Sequence, residues 1–160
     1  MTTRLYILFF LLITGFLSAQ NSLIRTPRIS PNAQEMAFSY QGDIWVYNFN
    51  TQQTKRITIH EAYESNPVWN SSGDKIAFSS NRKGANNIFT IKKNGGTPKQ
   101  LTYYPTADTP YNWTSSNNIV FATTRVLKGP EWDEQIYRVN ANGGTPQRFI
   151  KALGLSLIHI

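Results

Sequence analysis

The pentapeptide Asn-Gly-Gly-Thr-Pro occurs twice, at 94–98 and 142–146, at the same place in two copies of a longer pattern. Setting Met36-Ala37-Phe38-Ser39 over Ile76-Ala77-Phe78-Ser79 and Ile119-Val120-Phe121-Ala122 gives offsets of 40 and 43 residues. Ile44-Trp45-Val46, Ile88-Phe89-Thr90 and Ile136-Tyr137-Arg138 then fall into register. So do Arg56-Ile57-Thr58 with Gln100-Leu101-Thr102, and Trp69 with Trp113. Several short strands per unit, repeated at roughly 40–45 residues, are the sequence signature of β-propeller blades. The predicted fold is all-β: a partial propeller of three four-stranded antiparallel blades over 26–58, 66–102 and 109–150.

The second copy shows the pattern most plainly. Asn66-Pro67-Val68-Trp69 reads as an inner strand, and Asn70-Ser71-Ser72-Gly73-Asp74 as a turn that bonds its own backbone. Lys75 to Ser80 alternates as a strand with one filled face, and Asn87 to Ile91 forms the next. Asn94-Gly95-Gly96 is a hairpin needing positive φ, and Lys99-Gln100-Leu101-Thr102 the outer strand. In the third copy, Pro110-Tyr111-Asn112-Trp113 takes the inner slot, and Val126 to Glu134 lengthens the connection between middle strands. Long propeller loops project from one rim, where binding concentrates. Lys128, Glu131, Trp132 and Asp133 in that loop are the candidate rim or ligand residues. A tolerated insertion without a role is the competing reading.

Residues 1–19 read as a secretory leader. Arg4 supplies the positive start, Leu5 to Phe16 an apolar run of 12 residues, and Leu17-Ser18-Ala19 a small-residue end. Such a run is too short for a permanent span, so no stable membrane segment is expected after cleavage. An uncleaved N-terminal anchor is the alternative. The expectation is an exported protein, periplasmic or secreted. With no cysteine, disulfides, thiolate chemistry and lipid attachment are excluded. The formal charge of +7 falls to +6 without Arg4, and it is scattered over turns rather than striped, so no nucleic-acid partner is expected.

Three blades do not close a ring, and each buries its faces only against neighbours. The expectation is the front end of a longer protein, with Phe121 and Tyr137 poorly covered if nothing follows. Assembly of copies into a ring, a homo-oligomer, is the alternative. The stretch 151–160 carries none of the blade punctuation, and its native origin is open.

The copies resemble the WD-like repeats of the TolB and tricorn protease families. A more specific succession is Ile29-Ser30-Pro31, Ala37-Phe38, Gln41-Gly42-Asp43-Ile44-Trp45, Arg56-Ile57-Thr58, His60-Glu61, Ala107-Asp108-Thr109-Pro110-Tyr111 and Gln135-Ile136-Tyr137. This looks like the N-terminal propeller of exported tricorn-like serine peptidases, over roughly 25–150. The resemblance implies peptide-bond hydrolysis by machinery in downstream PDZ and peptidase regions, with this segment as a substrate-admitting or positioning wall. Partners would be peptide or protein substrates and those downstream domains. Two other roles stay open: a TolB-like periplasmic binding propeller without catalysis, and the propeller lid of a prolyl-oligopeptidase-like hydrolase.

No catalytic residue, cofactor or metal site is assigned within the segment. His60 and His159 are the two histidines, and no Gly-x-Ser-x-Gly elbow occurs. His60 reads as a loop residue. Asp43, Asp74, Asp108 and Asp133 fall in separate turns, where aspartates cap their own backbone. Trp69 and Trp113 read as packing between blades, and Trp45 as core.

Overall fold

The computed structural model describes residues 23–125 and 135–150. No helix occurs among them. Twelve strands form three antiparallel sheets, each a simple meander. The first sheet contains β1 (Arg25–Ile29), β2 (Glu35–Tyr40), β3 (Asp43–Asn48) and β4 (Gln53–Arg56). The second contains β5 (Glu64–Trp69), β6 (Lys75–Ser80), β7 (Asn87–Lys92) and β8 (Lys99–Gln100). The third contains β9 (Asp108–Trp113), β10 (Asn118–Thr123), β11 (Gln135–Asn140) and β12 (Gln147–Ile150).

The aligned triplets occupy equivalent registers: Phe38 faces Trp45, Phe78 faces Phe89, and Phe121 faces Tyr137. The innermost strands carry Pro27, Pro67 and Pro110, and pairing with the neighbouring strand slips near each. Proline donates no ladder hydrogen bond, so it fits an edge strand at a bulge. The hairpin glycines meet the sequence expectation, with φ of 91° at Gly95 and 110° at Gly143.

The sheets stack face to face. Strand β5 lies against β1, β2 and β3, and β9 lies against β5, β6 and β7. One cluster joins Ala37, Ile44 and Val46 of the first sheet to Trp69, Phe78, Phe89 and Ile91 of the second. Another joins Val68, Ala77 and Ile88 to Trp113, Phe121, Tyr137 and Val139. Small residues on one face receive large ones from the next, so each seam interdigitates. Each fully buried aliphatic or aromatic side chain contributes about 1.5–3 kcal/mol here.

This packing corrects one expectation. Phe121 is fully buried and Tyr137 is 8% exposed, because both face the second sheet and not the third sheet's outer flank. That flank carries Val120, Ala122 and Ile136. Trp69 and Trp113 pack between sheets as expected, with Trp69 donating its Nε1–H to the Arg28 carbonyl at 2.9 Å. Trp45, read from the sequence as core, is instead half-buried on the first sheet's outer flank, edge-on to Tyr40.

Two backbone links recur at each seam. Ser39 Oγ donates to the Glu64 carbonyl at 2.6 Å, and Ser79 Oγ to the Asp108 carbonyl at 2.9 Å. The amides of Glu64 and Asp108 donate to Gly42 and Asn86, both at 2.8 Å. These links bring the same ends of successive sheets level, and so define two rims.

Candidate functional site

Odd-numbered strands begin, and even-numbered strands end, at one rim. It carries the connections 41–42, 57–63, 81–86 and 101–107, and the described end, 124–125, of the connection that follows β10. The opposite rim carries the tight turns and the Asn-Gly-Gly hairpins.

The tight-turn rim satisfies its backbone locally. Asn70 Oδ1 accepts from the amides of Asp74 and Lys75, and Asp74 accepts from the Asn70 side-chain amide and the Ser72 hydroxyl. Those side-chain hydrogen bonds, Ser72's first, hold the Asp74 carboxyl below its usual range. Lys55 Nζ donates to the Asn94 carbonyl at 3.0 Å, and Lys99 Nζ to the Asn142 carbonyl at 2.7 Å. The repeated pentapeptide thus makes a turn and also receives a lysine from the preceding sheet.

The loop rim is held by buried charge. Asp108 opens β9 fully buried, and Arg125 Nη2 lies 2.7 Å from each of its carboxylate oxygens. The Arg125 guanidinium sits 5.0–5.1 Å from the ring centroids of Tyr104, Phe121 and Tyr137. Tyr104 also donates its hydroxyl to the Arg125 carbonyl at 2.7 Å. Glu64, in the equivalent place on β5, pairs with Arg82, which lies over Phe78 and Phe89. Both pairs sit at a seam, where low polarity strengthens the pairing and makes an unpaired charge costly.

Asp43 holds Arg56 and accepts from Thr58 Oγ1 at 3.3 Å. The corresponding place in the second sheet is neutral, with Gln100 Nε2 donating to Asn87 Oδ1 at 3.0 Å. Of the four aspartates expected to cap their own turns, Asp74 does. Asp43 and Asp108 do not: both are buried at strand starts and bind arginines. Asp133 lies outside the described residues.

Lys128, Glu131, Trp132 and Asp133 also lie outside the described residues. What is described is the base of their loop, which leaves β10 at Thr123 and returns at Gln135, beside the Asp108–Arg125 pair.

The same rim collects exposed apolar and aromatic side chains. Ile59 is 79% exposed, Tyr63 45% and Tyr103 76%. A cleft of about 480 Å³ is lined by Arg25, Ser39, His60, Glu61 and Tyr63, and a second of about 400 Å³ by Lys83, Asn87, Tyr103 and Tyr104. Sequence reasoning passed over Tyr63 and Tyr103. The available signal was that they stand outside any alternating strand, where burial cannot account for them.

Ser39 and His60 share the first cleft, but no nucleophile–base pair is assembled there. The Ser39 hydroxyl is buried and donates to the Glu64 carbonyl, while His60 Nδ1 accepts from the Ala62 amide at 3.0 Å. Among the described residues no group of three potential metal-ligating side chains converges, and no helix is long and apolar enough to cross a membrane.

Residues 21–154 match the family model described as the tricorn protease N-terminal beta propeller domain. The chain is 24% identical over 123 residues to the uncharacterized peptidase YuxL of Bacillus subtilis, covering 70% of this chain and 19% of the relative. It is 25% identical over 118 residues to a tricorn protease homolog of Saccharolobus solfataricus, covering 71% and 11%. It therefore spans a fifth or less of these two relatives. Among solved structures, TolB from Acinetobacter baumannii superposes with a TM-score of 0.65 at 20% identity, over 82% of this chain and 33% of that one. That likeness shows the fold alone.

Proposed function

Because the chain belongs to the tricorn protease N-terminal β-propeller family, we propose that it forms a non-catalytic wall of an exported serine peptidase, admitting or positioning peptides. The observation that supports this reading most is the concentration of exposed Ile59, Tyr63 and Tyr103 beside two clefts on the loop rim. Exposed apolar groups rimmed by polar ones suit extended peptide segments. Lys128, Glu131, Trp132 and Asp133 would join them from the long loop.

In this reading residues 1–19 direct export and are removed, and hydrolysis belongs to downstream domains of the same protein. The full-length protein is expected to cleave peptide reporters, and the propeller segment alone is not. Tyr63→Ala and Tyr103→Ala in the full-length protein should raise KM several-fold and leave kcat nearly unchanged, as loss of uniform binding does. Activity in the isolated segment that disappears with His60→Ala would overturn the assignment.

The exposed Ile59, Tyr63 and Tyr103 also suit a second reading, in which the same rim binds a protein and no catalysis follows. A full-length protein that ends after further blades and cleaves no reporter would establish it. A downstream α/β domain with a Gly-x-Ser-x-Gly elbow would instead make the segment a prolyl-oligopeptidase-like lid.

A further inference from the structure

The two seams differ in charge at the tight-turn rim. Between the first and second sheets, Glu35 of β2 pairs with Lys93 at 2.7 Å. In the second sheet Lys75 takes the place of Glu35, and in the third Ala141 takes the place of Lys93. The seam between the second and third sheets therefore has no carboxylate at the corresponding point, and its cation sits on the opposite side.

Three lysines surround the resulting cleft of about 230 Å³: Lys75, Lys92 and Lys99. Lys75 and Lys92 are directly opposite in the β6–β7 register, and Lys99 is opposite Thr90, two residues earlier on β7. Like charges directly opposite each other destabilise a sheet. Thr90, Thr97, Asn117 and Asn142 complete the polar part of the lining, and no carboxylate belongs to it among the described residues. Lys99 is anchored on the Asn142 carbonyl. Asp74, the nearest acid in sequence, is engaged by Ser72 and Asn70 in its own turn.

We infer that this cleft binds a phosphate-sized oxyanion, which takes the part that the Glu35 carboxylate plays at the preceding seam. The cleft has several times the roughly 30 Å³ that one water occupies in the liquid. Its donors are three ammonium groups, two threonine hydroxyls and two side-chain amides, a set suited to an acceptor-only ligand. The oxyanion is either free phosphate or a carboxylate, and the two are separated by titrating each.

The experiment is lysine acetylation of the full-length protein at constant ionic strength, read residue by residue by mass spectrometry. Inorganic phosphate, acetate and chloride are compared. At about ten times a millimolar Kd, phosphate should slow labelling of Lys75 and Lys92 roughly tenfold relative to chloride. Lys55 and Lys83 should be unaffected. Protection by acetate at similar concentration would assign the site to carboxylates, and protection by phosphate alone to phosphate. Lys75→Glu supplies an internal carboxylate, and in this variant Lys92 labelling should no longer respond to either anion. Equal slowing at Lys55 and Lys83, no slowing by either anion, or protection of Lys92 that persists in Lys75→Glu would each overturn the inference.

Discussion

The two rims of this stack are stabilised in different ways. At the tight-turn rim, short polar residues and glycines satisfy the backbone within a few positions, and lysines reach across the seams to the Asn94 and Asn142 carbonyls and the Glu35 carboxylate. At the loop rim, buried carboxylates at strand starts hold arginines that also lie over aromatic rings. The first arrangement is mostly exposed, and its contacts can change one residue at a time. The second is buried within the seams and depends on both partners of each pair. The rim with the exposed aromatics is therefore the one with the most interdependent support.

The most severe test of this contrast is to remove one partner of a buried pair. Arg125→Ala in the full-length protein leaves Asp108 buried and unpaired. It should lower the exchange free energy of the β9 and β10 amides by about 3–5 kcal/mol, read by native-state hydrogen exchange. Arg56→Ala should cost nearer 1 kcal/mol, since Arg56 is 41% exposed and Asp43 keeps Thr58 as a donor. Equal losses at the two sites would remove the distinction between seam pairs and outer-flank pairs.

At the other rim the effects should be smaller and confined. Gly95→Ala forces a side chain onto φ 91° and places its Cβ 3.4 Å from the Ile57 carbonyl. A loss of about 1–3 kcal/mol is expected, confined to β7 and β8 amides. Back at the loop rim, Ser79→Ala removes one link between the second and third sheets and should cost about 1 kcal/mol. Ala122 already occupies the equivalent place in the third sheet.

The smallest effect should come from acid. Asp74's folded pKa lies below the usual 3.8, so its hydrogen bonds stabilise the turn above that pH and are lost as pH falls through the folded value. Asp74→Asn should abolish this acid response in exchange of the 70–75 amides and leave the loop rim unchanged.

Much of the fold is legible in the repeat. Alignment of Phe38, Phe78 and Phe121 places three equivalent strands, and Asn-Gly-Gly places the hairpins because few other residues accept their φ. Alternation also shows that each strand has two faces. It does not show which face meets which neighbour, and so Phe121 and Tyr137 were expected on the open flank. The acid–arginine pairs are harder to read. Glu64 and Asp108 recur at a 44-residue offset and Arg82 and Arg125 at 43, but each pair meets only once sheets have stacked. An aspartate beside a turn looks the same in sequence whether it caps its own backbone, as Asp74 does, or holds a distant arginine, as Asp108 does. The exposure of Tyr63 and Tyr103 likewise follows from stacking, since connector length alone does not set it.

A double-mutant cycle on Asp108→Ala and Arg125→Ala, read by hydrogen exchange of the Ile119 to Thr123 amides in the full-length protein, tests the central claim most directly. If buried charge holds the loop rim, the double variant should lose little more than either single one, with a coupling energy close to the smaller single loss, about 3 kcal/mol. Losses that simply add, to within about 0.5 kcal/mol, would mean that the pair is not what fixes this rim.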